Sequence, residues 1–252
     1  CPYRPWNEKA RPLMLVALPF VGLVIGLLWY GLFLLLCRIS VPLQLQAAVL
    51  MVYPYVVTGF IHLDGFMDTS DAILSRRPLE EKLRILKDPH TGAFAVISTA
   101  ILFILCFASM LSVTEQIHFK QALDITQGDP MLSLILIPVV SRCGSALAVL
   151  GIKPLGHSQY KTEPDAKKEI GKIAIVIIFV LASFLAAALL GAGALPLETT
   201  RSVLIVLGGT AVAYLAAIVS SVRHLKGVSG DLAGYSLIVA EAAGLIVLAL
   251  AV

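Results

Sequence analysis

Hydrophobic residues in this chain come in long runs rather than in alternation. Seven stretches are apolar nearly throughout: 13–37, 43–60, 92–112, 131–152, 172–194, 202–222 and 236–252. A bilayer core about 30 Å thick needs about 20 apolar residues of helix. Backbone polar groups in hydrocarbon are satisfied only within helices or closed barrels. The ten-residue alternation of an outer-membrane barrel does not occur, so each stretch predicts a transmembrane helix. The fold class is then all-α, a polytopic membrane bundle of about seven spans. The first stretch is too long and too apolar for a cleaved signal, and a start at Cys1 rather than Met leads us to expect a short native segment before it. With no internal repeat and no low-complexity tract, residues 1–252 read as one transmembrane catalytic domain.

Composition sharpens this picture. Of 252 residues, 58% are hydrophobic and only 14% charged, and the mean hydropathy is +0.91. A soluble domain carries about 25% charged residues, so the surplus apolar surface must face lipid. Lys and Arg set the orientation. The N-terminal segment, the loop 61–91, the segment 153–172 and the turn 223–235 carry fifteen of them. The other side has three, Arg38, Lys120 and Arg201, and Arg142 lies inside a span. Seven spans with a cytoplasmic N-terminus fit this asymmetry, in the inner (plasma) membrane; six or eight would put a basic loop on the wrong side. The net charge of +3 therefore reports topology and implies no nucleic-acid partner. Four scattered cysteines, with no C-x-x-C pair, predict neither a disulfide nor a zinc site.

The chemistry gathers in the loop 61–91. Asp64, Asp68 and Asp71 stand at i, i+4 and i+7. On a helix they fall within about 60° of one another, a stripe of like charge that is unfavourable unless something positive compensates it. Hard oxygen ligands converging on one point suit Mg²⁺, which commonly joins one or two carboxylates to substrate phosphates. A solvated acidic face is the bland alternative, and three carboxylates in register beside His62 and Gly65 at a membrane edge weigh against it. Further on, Lys87 and Asp88 precede Pro89 and Gly92, where a cation and a close backbone approach suit phosphate; interfacial snorkelling of Arg84 and Lys87 would explain the cations equally well. Gly230 and Asp231 open the last span, and Glu241 lies about two turns inside it. Arg142 is the one cation within a span, so an Arg142–Glu241 structural pair competes with a role for both in holding substrate. The segment 153–171 reads as a solvated tether.

These segments resemble the cobalamin-5′-phosphate synthase family, the adenosylcobinamide-GDP ribazoletransferases. The likeness starts at Leu18-Pro19-Phe20-Val21-Gly22 and is strongest in Gly59-x-x-His62-Leu63-Asp64-Gly65-x-x-Asp68-Thr69-x-Asp71-Ala72. It continues through Lys87-Asp88-Pro89-x-x-Gly92, Ser141-Arg142 and Gly227-Val228-Ser229-Gly230-Asp231, and ends at Glu241. Phe60 and Lys226 stand where the family commonly has glycine. The resemblance implies an Mg²⁺-dependent attack by a ribose hydroxyl of α-ribazole, or of its 5′-phosphate, on adenosylcobinamide-GDP, with GMP leaving. Asp64, Asp68 and Asp71 would hold the metal, with Asp88 or Asp231 completing the set. Lys87, Asp88, Arg142, Gly230, Asp231 and Glu241 would contact substrate. His62 is a candidate base, yet on an ideal helix it projects away from the stripe, so a purely conformational role stands beside catalysis.

Two rivals are weaker. The CDP-alcohol phosphotransferases use Asp-Gly-x-x-Ala-Arg, a pattern that does not follow Asp64-Gly65 here. A cation transporter would need carboxylates deep in several spans, and only Glu241 qualifies. Partners are then the lipid bilayer and two small-molecule substrates, and homo-oligomer formation stays open.

Overall fold

The computed structural model describes residues 11–123, 129–155, 166–193 and 197–252. Among the described residues there are nine α-helices: α1 (Arg11–Arg38), α2 (Leu43–Val57), α3 (Ile61–Leu74), α4 (Leu79–Ile85), α5 (Ala93–Ala122), α6 (Ser133–Gly151), α7 (Ala166–Gly193), α8 (Leu197–Leu225) and α9 (Gly230–Ala251). The one strand-like pairing among them is a parallel bridge between Pro154 and Val228.

Each of the seven apolar stretches contains a helix, but they are not seven equal spans. Five helices, Met14–Arg38, Ala93–Lys120, Pro130–Gly151, Leu197–Leu225 and Gly230–Ala251, are long and apolar enough to cross a bilayer. The stretch expected as a span over 43–60 stops at Val57. At 15 residues and 1.5 Å per residue, α2 reaches about 22 Å, and the chain then turns by 89° into α3. Counting that bent pair as one span gives six. α7 runs from Ala166 to Gly193. Two expected loops are also corrected. The loop 61–91 contains α3 and α4, and residues 113–122 continue α5 instead of forming an outer loop. Cations expected at Arg4, Lys9 and Lys161 lie outside the described residues.

The elbow between α2 and α3 follows from its sequence. Gly59 Nα donates to Val56 O (3.0 Å) and Phe60 Nα to Tyr55 O (2.8 Å), the paired bonds by which a glycine in left-handed backbone ends a helix. Gly59 and Phe60 both have φ of 62°. Lys226, which closes α8, has φ of 65°. Both departures from the family's usual glycine therefore fall in backbone that glycine adopts without steric cost. Pro54 adds a second constraint inside α2. Having no N–H, it leaves the Leu50 carbonyl unpaired, and Trp29 of α1 supplies the missing donor from its indole Nε1 at 2.8 Å.

α9 and α6 form the centre and are mostly buried, whereas α5 is mostly exposed. α9 packs on α3, α5, α6 and α8, and α6 on α1, α7 and α8. α1 lies close to α6, because a Cβ at Gly22 or Gly26 would run into the α6 backbone at Pro138 or Ile135. Arg142 on α6 donates from Nη1 to Glu241 Oε1 on α9 at 2.7 Å, and Ser141 Oγ donates to the same oxygen at 2.8 Å. The two charged side chains are 1% and 6% exposed. A pair this buried stabilises little relative to apolar residues of similar volume, but removing one partner strands the other charge.

Two outcomes follow for unfolding in detergent. Phe60→Gly and Lys226→Gly each stabilise the protein by about 1 kcal/mol, the cost of a left-handed non-glycine residue. Arg142→Met or Glu241→Leu alone destabilises by about 3–5 kcal/mol, whereas the double variant returns to near wild-type stability. Equal losses in the single and double variants would show that the pair is not an isolated structural couple.

Candidate active site at the junction of α3 and α9

Helix α3 turns its apolar side inward and its carboxylates outward. Leu63, Phe66, Thr69, Ser70 and Ala72 are buried, Asp64 is exposed, and Asp68 and Asp71 are half-buried. With three carboxylates in fourteen residues, α3 is no span in its own right. It meets the first turns of α9 through glycines. A Cβ on Gly65 would sit 2.9 Å from both Cα and O of Asp231, and one on Gly234 would touch His62 at 3.4 Å. Between them, the rings of Phe66 and Tyr235 stack at 5.6 Å with an interplanar angle of 11°. Ser229 caps α9, accepting from Leu232 Nα at 3.4 Å, and its hydroxyl lies 3.2 Å from Asp231 Oδ2.

This contact gathers four carboxylates. Burial first, then Asp64, Asp231 and Asp71, together raise the Asp68 carboxyl to about 6. Every charged group that moves Asp68 is another carboxylate. Asp71 in turn rests on Gly92, where any Cβ would occupy the position of its carboxylate. The structure thus brings Asp64, Asp68, Asp71 and, from 160 residues further along the chain, Asp231 into one negative field. Among the described residues, no group of three or more His, Cys, Asp or Glu converges closely enough to ligate one ion. The donor chemistry still fits Mg²⁺, which takes one or two carboxylates and fills its other positions with water and phosphate oxygens.

The remaining candidates lie elsewhere. Asp88 is exposed and turned onto its own loop, where Oδ1 accepts from His90 Nα at 3.0 Å and lies 2.6 Å from His90 Nδ1. Those bonds hold its carboxyl below the usual range. Lys87 is exposed beside it. His62 sits on the first turn of α3, against Gly234 and away from the stripe. Burial, and then the Arg142 guanidinium, push its imidazole down to about 4 against the pull of Glu241, so it is neutral at ordinary pH. Arg142 and Glu241 are joined in their buried pair, and among the described residues Arg142 Nη2 has no partner. Gly230 is the first residue of α9.

The placing roles of Gly65 and Gly92 carry no signal in the sequence beyond the glycines themselves. Nor does the segment after α6, which reads as a tether, announce that it is pinned at its start. Leu155 Nα donates to Val228 O at 2.9 Å and Val228 Nα to Lys153 O at 3.0 Å, just ahead of Asp231. The rest of that segment, 156–165, lies outside the described residues.

Comparison with known proteins places the chain in a family. The family model described as cobalamin-5-phosphate synthase matches residues 2–249. An adenosylcobinamide-GDP ribazoletransferase of Clostridium perfringens is 36% identical over 248 residues, covering 98% of this chain and 91% of its own. One from Clostridium botulinum is 34% identical, covering 97% and 89%, and one from Lachnoclostridium phytofermentans is 32% identical, covering 95% and 84%. No solved structure matches. From the acidic stripe on α3 to Glu241 on α9, then, the chain belongs to the cobalamin-5-phosphate synthase family.

Proposed function

We propose that the protein transfers the cobinamide phosphoryl group of adenosylcobinamide-GDP to a ribose hydroxyl of α-ribazole, or of its 5′-phosphate, in the nucleotide-loop step of cobalamin biosynthesis. The hydroxyl oxygen bonds to the phosphorus bearing the cobinamide. The bond from that phosphorus to the bridging oxygen breaks, GMP leaves, and the hydroxyl proton is lost. The observation that carries the reading is the four-carboxylate field around Asp68. A pyrophosphate brought to it would be repelled unless a cation stood between them.

Asp64, Asp68, Asp71 and Asp231 would supply the one or two carboxylates that hold Mg²⁺. When bound, Mg²⁺ supplies charge neutralisation and alignment for an in-line displacement. Gly65 and Gly92 let these side chains approach one another. His62, facing the α6–α9 pair, fixes the first turn of α3 against α9 more readily than it could take a proton at the stripe. The fifteen-to-three division of Lys and Arg favours the cytoplasmic side for this end of the bundle, where both polar substrates would meet it.

The test is GMP release by purified protein in detergent. Release should need adenosylcobinamide-GDP, α-ribazole and Mg²⁺ together, and Asp68→Asn should slow it by at least about a hundredfold. Unchanged release by Asp68→Asn would remove the metal-holding role. A wild-type protein that releases no GMP under any of these conditions would remove the reaction itself.

A further inference from the structure

The junction of α4 and α8 holds a cation with no counter-charge among the described residues. Lys82 on α4 is 8% exposed. Its Nζ lies 3.4 Å from Nδ1 of His224, on the last turn of α8. Among the described residues that ring nitrogen is its one partner, and none of the ion pairs includes Lys82. The nearby Glu81 is paired with Arg77 at 3.7 Å. A buried ammonium is expensive to desolvate unless an anion meets it. The carbonyl end of α8 offsets part of that cost, but no described carboxylate neutralises the charge.

Hydrogen-bond chemistry decides what the pair presents. An ammonium only donates, so the contact requires a free lone pair on His224 Nδ1, which puts the ring proton on Nε2. The two remaining N–H groups of Lys82 and the Nε2–H of His224 are therefore all donors, with no acceptor among them. His224 itself is exposed, and the cations Arg223 and Lys226 beside it are exposed as well. α4 packs on α3 and on α8, which puts this donor set at the same end of the bundle as the carboxylates.

We infer that Lys82 and His224 form an anion site for a phosphate ester, separate from the carboxylate field. Resting on the reading above, the ester is the guanylyl phosphate of the substrate, held while its neighbour is attacked. A phosphodiester headgroup of an anionic lipid offers the same chemistry, and two arms of one experiment separate the sources.

The full-length protein is purified in phosphate-free detergent as wild type, Lys82→Met, Lys82→Arg and His224→Gln. Binding of GMP and of guanosine is measured by equilibrium dialysis. A nucleotide phosphate at the site predicts that Lys82→Met weakens GMP about tenfold and leaves guanosine unchanged, that Lys82→Arg retains GMP, and that His224→Gln falls between them. Lys82→Met should also unfold at a higher temperature than wild type, because an uncompensated buried charge is gone. A residue serving packing alone would lose stability and leave the GMP-to-guanosine ratio unmoved. In the second arm, native mass spectrometry from nanodiscs containing phosphatidylglycerol assigns the phosphate to lipid if Lys82→Met loses that lipid while binding GMP as wild type does. The site is overturned if Lys82→Met matches wild type in binding both GMP and phosphatidylglycerol, or if wild type binds neither. Failure of the transferase reading would appear separately, as absence of GMP release by the wild type.

Discussion

The molecule depends on how closely α3 lies against the first turn of α9. Gly65 allows that approach, since a side chain there would meet the Asp231 backbone at 2.9 Å. The contact sets a stripe of like charge beside a fourth carboxylate at a helix N-terminus, an arrangement that opposes folding in the absence of a cation. The elbow at Gly59 and Phe60 delivers α3 at nearly a right angle to α2. The Arg142–Glu241 pair ties α9 to α6 behind it. Fold and site are therefore one problem, in which packing forces together groups that would otherwise separate.

Much of this is legible in the sequence, because the signals are local. Hydropathy alone locates every apolar helix, and the i, i+4, i+7 spacing puts Asp64, Asp68 and Asp71 on one helical face. The break at Val57 escapes a hydropathy reading because apolar composition continues to Phe60, while the stop is written in backbone conformation at Thr58-Gly59-Phe60. Shared faces between distant segments are also out of reach. Nothing near Asp231 says that it approaches Asp68 rather than Asp88, and nothing near Lys82 says that it meets His224, because these are consequences of helix packing.

Polar groups within the bundle divide by what compensates them. Glu241 has Arg142 and Ser141; the Leu50 carbonyl freed by Pro54 has the Trp29 indole. These are settled interactions that fix geometry. Asp68 and Lys82 are not settled. One is surrounded by charge of its own sign, and the other is buried against a histidine ring. In an apolar fold such uncompensated groups are costly to keep, and opposite charge from a metal and from phosphates would relieve both.

We propose that α3 and α9 share one cation site. Electron paramagnetic resonance of Mn²⁺, standing in for Mg²⁺, tests it most directly on wild type, Asp68→Asn and Asp231→Asn. A shared site predicts tight Mn²⁺ binding in the wild type that either substitution abolishes. Binding in Asp231→Asn that matches wild type, or no binding by the wild type at all, would contradict it.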